Sequence, residues 1–176
     1  MGAFYAESAL RLGLSAPAAG WWLAGGSITA VISRVAFGAG GDRMLRSDLT
    51  VVAWLWVAGG VGLVLLAPAE SLALFGVGTL LAFAAGSGWT GLFLTAVVRS
   101  SPGAPAAATG IVMSGHLAGS VVGPLAFGAA ASRGHYGGAW IGAGVAMLLA
   151  AALVPAVKRL LRRDATATDA ATATSS

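Results

Sequence analysis

Three groups of residues in this apolar chain have types and spacings that could do chemistry. The first is FGAGGDRMLRS (Phe37–Ser47), which sets Asp42 behind a glycine cluster and follows it with Arg43 and Arg46. These charges can pair with each other and with neighbouring helix ends. Gly38, Gly40 and Gly41 let the chain turn sharply and let another helix come close. Arg34 lies about a turn inside the preceding apolar block, near enough to snorkel to the interface. Two readings stand on these residues alone: a positive-inside turn that sets topology, or a working part. The second group is His116. An ionisable residue within an apolar block is a functional candidate, able to relay a proton in the physiological pH range. The alternative is a neutral imidazole hydrogen-bonded to a neighbouring helix. The third is GHLAGSVVGPLAFG (Gly115–Gly128). There Gly115, Gly119 and Gly123 recur every four residues and make one smooth face for close helix packing. Pro124 removes a backbone hydrogen bond and is expected to kink the helix.

Enzyme chemistry has no foothold in the sequence. No metal-ligand cluster, phosphate loop or nucleophile–base pair occurs at a recognisable spacing. His135, the second of two histidines, falls in a loop. With no cysteine in the chain, disulfides and thiolate metal sites are excluded, and no cofactor is expected.

The elements that must carry these residues follow from composition. The chain is 57% hydrophobic and 9% charged, against about 25% charged in soluble domains, which places it with membrane proteins. Five apolar blocks approach the length of about 20 residues that a spanning helix needs: about 17–39, 49–67, 72–98, 104–131 and 138–157. Short connections rich in Gly, Pro and Ser separate them. Barrel strands would alternate polar and apolar residues over about 10 positions, and these blocks do not. The expectation is an all-α, polytopic membrane bundle of five transmembrane helices. Abundant Gly and Ala fit close helix packing, although a GC-rich coding sequence would enrich them too. Residues 1–16 lack a basic n-region and contain Glu7, so they are no signal peptide. They read as a stub after a missing helix, the end of that helix plus an outer loop. Residues 164–176, small, polar and repetitive, predict a disordered tail.

Orientation follows from the basic residues. Arg34, Arg43, Arg46, Arg99, Lys158, Arg159, Arg162 and Arg163 fall on one side of the spans, and Arg11 and Arg133 on the other. The positive-inside rule then makes the first side, with the C-terminus, cytoplasmic and the N-terminus external. The formal charge of +4 is accounted for by this topology, so nucleic acid is not an expected partner.

In this order the motifs resemble the major facilitator superfamily. Gly38, Asp42, Arg43 and Arg46 match its G-x-L-A-D-R-x-G-R-K loop, which joins the second and third helices of each six-helix half. Leu45 stands where a glycine is usual and Ser47 where a second base is usual, as in the more degenerate C-terminal copy. Gly115–Gly128 resembles the G-x-x-x-G-P-x-x-x-G signature of the fifth helix or its repeat equivalent, the eleventh. Gly88–Phe93 (GWTGLF), with the following RSSPGAPAAATG, resembles the tenth helix and its cytoplasmic exit. The N-terminal half commonly carries an arginine in its fourth helix, whereas 72–98 holds no charge. The resemblance therefore covers 17–163 as helices eight to twelve, a partial C-terminal half.

The resemblance implies secondary transport of a small solute across the cytoplasmic membrane by alternating access. The solute would meet polar and aromatic residues of the eighth, tenth and eleventh helices: Trp22, Ser27, Ser87, Trp89, Thr90, Phe93, Ser114 and His116. Ser114 has a plainer alternative, a bond to its own i−4 carbonyl, and Trp21, Trp22 and Tyr136 have interfacial belts. Arg34, Gly38, Asp42, Arg43 and Arg46 become a gating latch, and Gly115, Gly119, Gly123, Pro124 and Gly128 a packing and kink motif. A half alone encloses no pathway, so the expected partners are the lipid bilayer, a small solute, and a missing N-terminal half or a second chain. The competing expectation is a non-transporting membrane protein that assembles through its glycine faces.

Overall fold

The computed structural model describes residues 2–41, 48–67 and 71–173. They form α1 (Gly2–Arg11), α2 (Ala16–Gly41), α3 (Asp48–Leu65), α4 (Leu72–Ser100), α5 (Pro105–Ala131) and α6 (Tyr136–Ala173), with no strand among the described residues. Long apolar runs become helices because hydrocarbon offers no partner for backbone N–H and C=O groups, and a helix satisfies them within the segment. Local chemistry sets the ends. Ser71, in extended backbone, accepts the Leu74 N–H at 3.2 Å and caps α4. Pro105 opens α5 where its missing N–H costs nothing. Gly13 and Gly134, at φ +81° and +80°, close α1 and α5. In both turns the next residue's N–H reaches back five residues, Leu14 to Ala9 and His135 to Ala130, the arrangement that satisfies the last carbonyls of a helix.

Among the described residues, four stretches are long and apolar enough to cross a bilayer: Ala16–Ala39, Leu72–Ser100, Pro105–Ala131 and Tyr136–Leu161. At 1.5 Å per residue, the 18 residues of α3 reach about 27 Å, close to the hydrocarbon thickness of about 30 Å. The chain is an all-α bundle of the multi-pass membrane kind. Its α3 ends at Leu65 rather than Ala67, because Leu66 and Ala67 turn back with their N–H groups on the Leu63 and Val64 carbonyls.

Helix α4 is central, packed by α3 and α2, while α3 also packs α6 and α5 lies at the edge against α4 and α6. Close approach depends on glycines. A Cβ on Gly62 would stand 2.5 Å from the Ala82 nitrogen and 2.9 Å from the Gly78 carbonyl, and one on Gly59 2.9 Å from Gly86. Gly60 and Gly144 bring α3 equally close to α6. Hydroxyls add cross-links: Ser33 donates to the Ala84 carbonyl, and Lys158 Nζ donates to Thr50 Oγ1 at 2.6 Å.

Residues 2–11 form a helix, α1, whose Tyr5 is 1% exposed and stacks on Phe75 at 4.9 Å. Since Thr79 Oγ1 donates to Phe75 O, the Tyr5 hydroxyl donates to Thr79, at 2.7 Å. Ser8 accepts the Trp140 indole N–H at 3.0 Å, so α1 ties α4 to α6. At the other terminus α6 runs on to Ala173 where a disordered tail was expected; its alanines are the best helix formers there are. The glycine face of α5 makes no close contact within the described residues. Gly115, Gly119 and Gly123 would each accept a Cβ with nothing within 4 Å, and Gly128 alone of the motif meets a neighbour, Phe4 at 3.5 Å. The face is open because α5 stands at the edge of the bundle. Its backbone stays helical through Pro124.

Candidate functional site

Four of the eight expected solute residues converge. Trp89, Thr90 and Phe93 of α4 and His116 of α5 line one cavity of about 170 Å³ with Trp56, Leu94, Val112 and Met113. Residues 89 and 93 are one helical turn apart and share a face; α5 brings His116 up to it. Trp89 stands edge-on to Trp56 at 5.3 Å, to Phe93 at 5.6 Å and to His116 at 5.8 Å. Such edge-to-face pairs are favourable for aromatic quadrupoles. Trp89 is anchored by its indole N–H, which donates to the Gly86 carbonyl at 2.9 Å. The walls are π faces and aliphatic groups, with Thr90 and His116 as the polar handles. That composition suits a small, largely apolar solute oriented by a few polar atoms. His116 thus rests against an aromatic ring on α4, with no hydrogen bond to a neighbouring helix among the described residues.

The same histidine lines a second, larger cavity of about 750 Å³. This groove runs between α5 and α6, past Gly119, Ser120, Gly123 and Pro124, with Phe4, Phe127 and Trp140 against it. The open glycine face of α5 is therefore a wall of this groove. Phe127 packs on Phe4 at 4.6 Å and on Trp140 at 4.7 Å and closes one end of it.

The remaining candidates lie elsewhere. Trp22 packs edge-on to Phe75 at 6.4 Å and covers Gly76, in the α2–α4 contact. Tyr136 likewise packs, on Phe127 and under Arg11, whereas Trp21 is 79% exposed. Ser27 and Ser114 donate to their i−4 carbonyls, Leu23 and Gly110. The Ser87 carbonyl accepts from Thr90 at 3.4 Å and from Arg34 Nε at 3.3 Å. Arg34 is thereby tied across to α4. Gly38 is exposed with nothing near it, and Asp42, Arg43 and Arg46 of the latch lie outside the described residues. No cluster of His, Asp or Glu able to hold a metal occurs among the described residues.

Trp56 was missed. Its signal was present, because residues two apart in a helix point about 200° apart, so only one of Trp54 and Trp56 could face lipid. Trp54 is the exposed one, at 70%. No family model matches the chain, and no curated protein or solved structure matches it.

Proposed function

We propose that this chain forms the C-terminal half of a major facilitator-type transporter, helices eight to twelve, and that it carries a small solute across the cytoplasmic membrane. The observation that carries the reading is the convergence of Trp89, Thr90, Phe93 and His116 on one aromatic cavity. These residues come from the two helices whose motifs resemble the tenth and eleventh of that family. Two further features support it. The glycine face of α5 is open, as a surface awaiting a second half would be. Arg34 lies near the end of the first long span and the stretch Gly38–Arg46 leads out of it in the sequence, where the family's gating loop stands. In this reading α4 and α5 present the solute to the midplane, and rocking against the second half exposes it to each side in turn. The latch biases that equilibrium without touching solute.

Co-expression with a candidate N-terminal half, followed by uptake from a panel of small aromatic solutes, tests it. Uptake should require the second half, fall at least tenfold in Trp89→Ala, and shift between inward and outward states in Asp42→Ala. Uptake indifferent to the second half and to both substitutions rejects the proposal. The open glycine groove also suits a protein that only assembles with other helices. That second reading predicts association with the same partner and no uptake.

A further inference from the structure

Between α3 and α6 lies a crevice of about 420 Å³ lined by Thr50, Ala53, Trp54, Val57, Ala151, Val154, Pro155 and Lys158. The two helices run antiparallel there, so depth can be read from residue number. Thr50 and Lys158 stand at the mouth. Val57 and Ala151 lie seven residues further along their helices, about 10 Å deeper at 1.5 Å per residue. Every lining residue below the mouth is apolar. Trp54, 70% exposed, forms the outer wall where an interfacial indole belongs. The mouth carries a cation: Lys158 Nζ has three N–H donors and gives one to Thr50 Oγ1 at 2.6 Å. Thr50, accepting there, keeps its own hydroxyl proton to donate. Among the described residues that line the crevice there is no carboxylate.

We infer that this crevice is a seat for one anionic phospholipid, its headgroup phosphate on Lys158 and Thr50 and an acyl chain along Ala53, Val57 and Val154. A polar mouth over an apolar slot fits an amphiphile and not a free anion, which would leave the slot empty. An anionic headgroup is favoured over a zwitterionic one because a choline cation would stand beside the lysine. The inference does not depend on transport.

Native mass spectrometry of the full chain in detergent, titrated with phosphatidylglycerol, phosphatidylcholine or oleate, tests it. One phosphatidylglycerol should bind ahead of phosphatidylcholine. Lys158→Gln should weaken it about tenfold, the worth of one charge-assisted hydrogen bond, and Lys158→Arg should restore it. Arg159→Gln, which removes an equal charge one residue away, should change it less than twofold. Ala53→Phe fills the slot without altering charge and should also weaken binding, which keeps the test valid if Lys158→Gln fails to fold. Equal binding of the two phospholipids, equal losses in Lys158→Gln and Arg159→Gln, or displacement of phosphatidylglycerol by equimolar oleate would each overturn it.

Discussion

Glycine does two different jobs in this chain, and single substitutions separate them. At Gly62 an added Cβ meets the backbone of α4 at Ala82 and Gly78, which cannot swing away as a side chain could. Gly62→Ala should destabilise the bundle by about 1–3 kcal/mol, the range for overpacking, read as a lower melting temperature in detergent. At Gly119 the same methyl group meets nothing, and alanine is the better helix former by about 1 kcal/mol. Gly119→Ala should leave melting unchanged or raise it; a loss matching that of Gly62→Ala would mean the face is packed. Tyr5 supplies a third case. Tyr5→Phe keeps the stack on Phe75 and deletes only the bond to Thr79, whose hydroxyl still has the Phe75 carbonyl. The expected cost is about 1 kcal/mol.

Among the elements, α5 is the loosely held one. It touches α4 around Trp89 and His116 and is pinned at its far end by Phe127, buried between Phe4 and Trp140. Between these points Leu117, Val121, Val122 and Leu125 are exposed. Phe127→Ala should free the C-terminal end of α5 and speed amide exchange there while α3 and α4 stay protected. Its cost should fall at or below about 3 kcal/mol, the low end for soluble cores, because lipid replaces the lost contacts as water cannot. Uniform acceleration across all helices would show that α5 is no separable element. Helix α1 has the opposite character: short, but locked through Tyr5, Ser8 and Phe4 into the contact of α4 with α6 and α5.

For the whole molecule, the two ends of the bundle are distinguishable in the fold. Lys158 meets Thr50 at one end, and the Arg11 guanidinium lies 3.9 Å over the Tyr136 ring at the other. The proposed orientation puts the Lys158 end in the cytoplasm, so a reporter fused after Ser176 should be active only inside the cell. The groove between α5 and α6 offers a test of assembly. The chain has no cysteine, so Gly119→Cys introduces a single thiol into it. A membrane-permeant maleimide should label this thiol in the chain alone and be blocked when the second half is co-expressed. Labelling unaffected by that half would place the partner on another face.

Much of this architecture was legible before any coordinates, for a reason specific to membranes. A bilayer obliges each apolar run to bond its own backbone, so helix positions, the pairing of their ends and the i−4 bonds of Ser27 and Ser114 follow from local sequence. Which face of each helix would be buried did not follow, because these helices are apolar on every side and lipid accepts such a face as readily as another helix does. The regular Gly115–Gly123 repeat predicted close packing and is open, while Gly59, Gly60, Gly62 and Gly144, without so clean a pattern, make the close contacts. The meeting of Trp56, Trp89, Phe93 and His116 was likewise decided by tertiary structure alone, since it depends on how α3, α4 and α5 are turned about their axes.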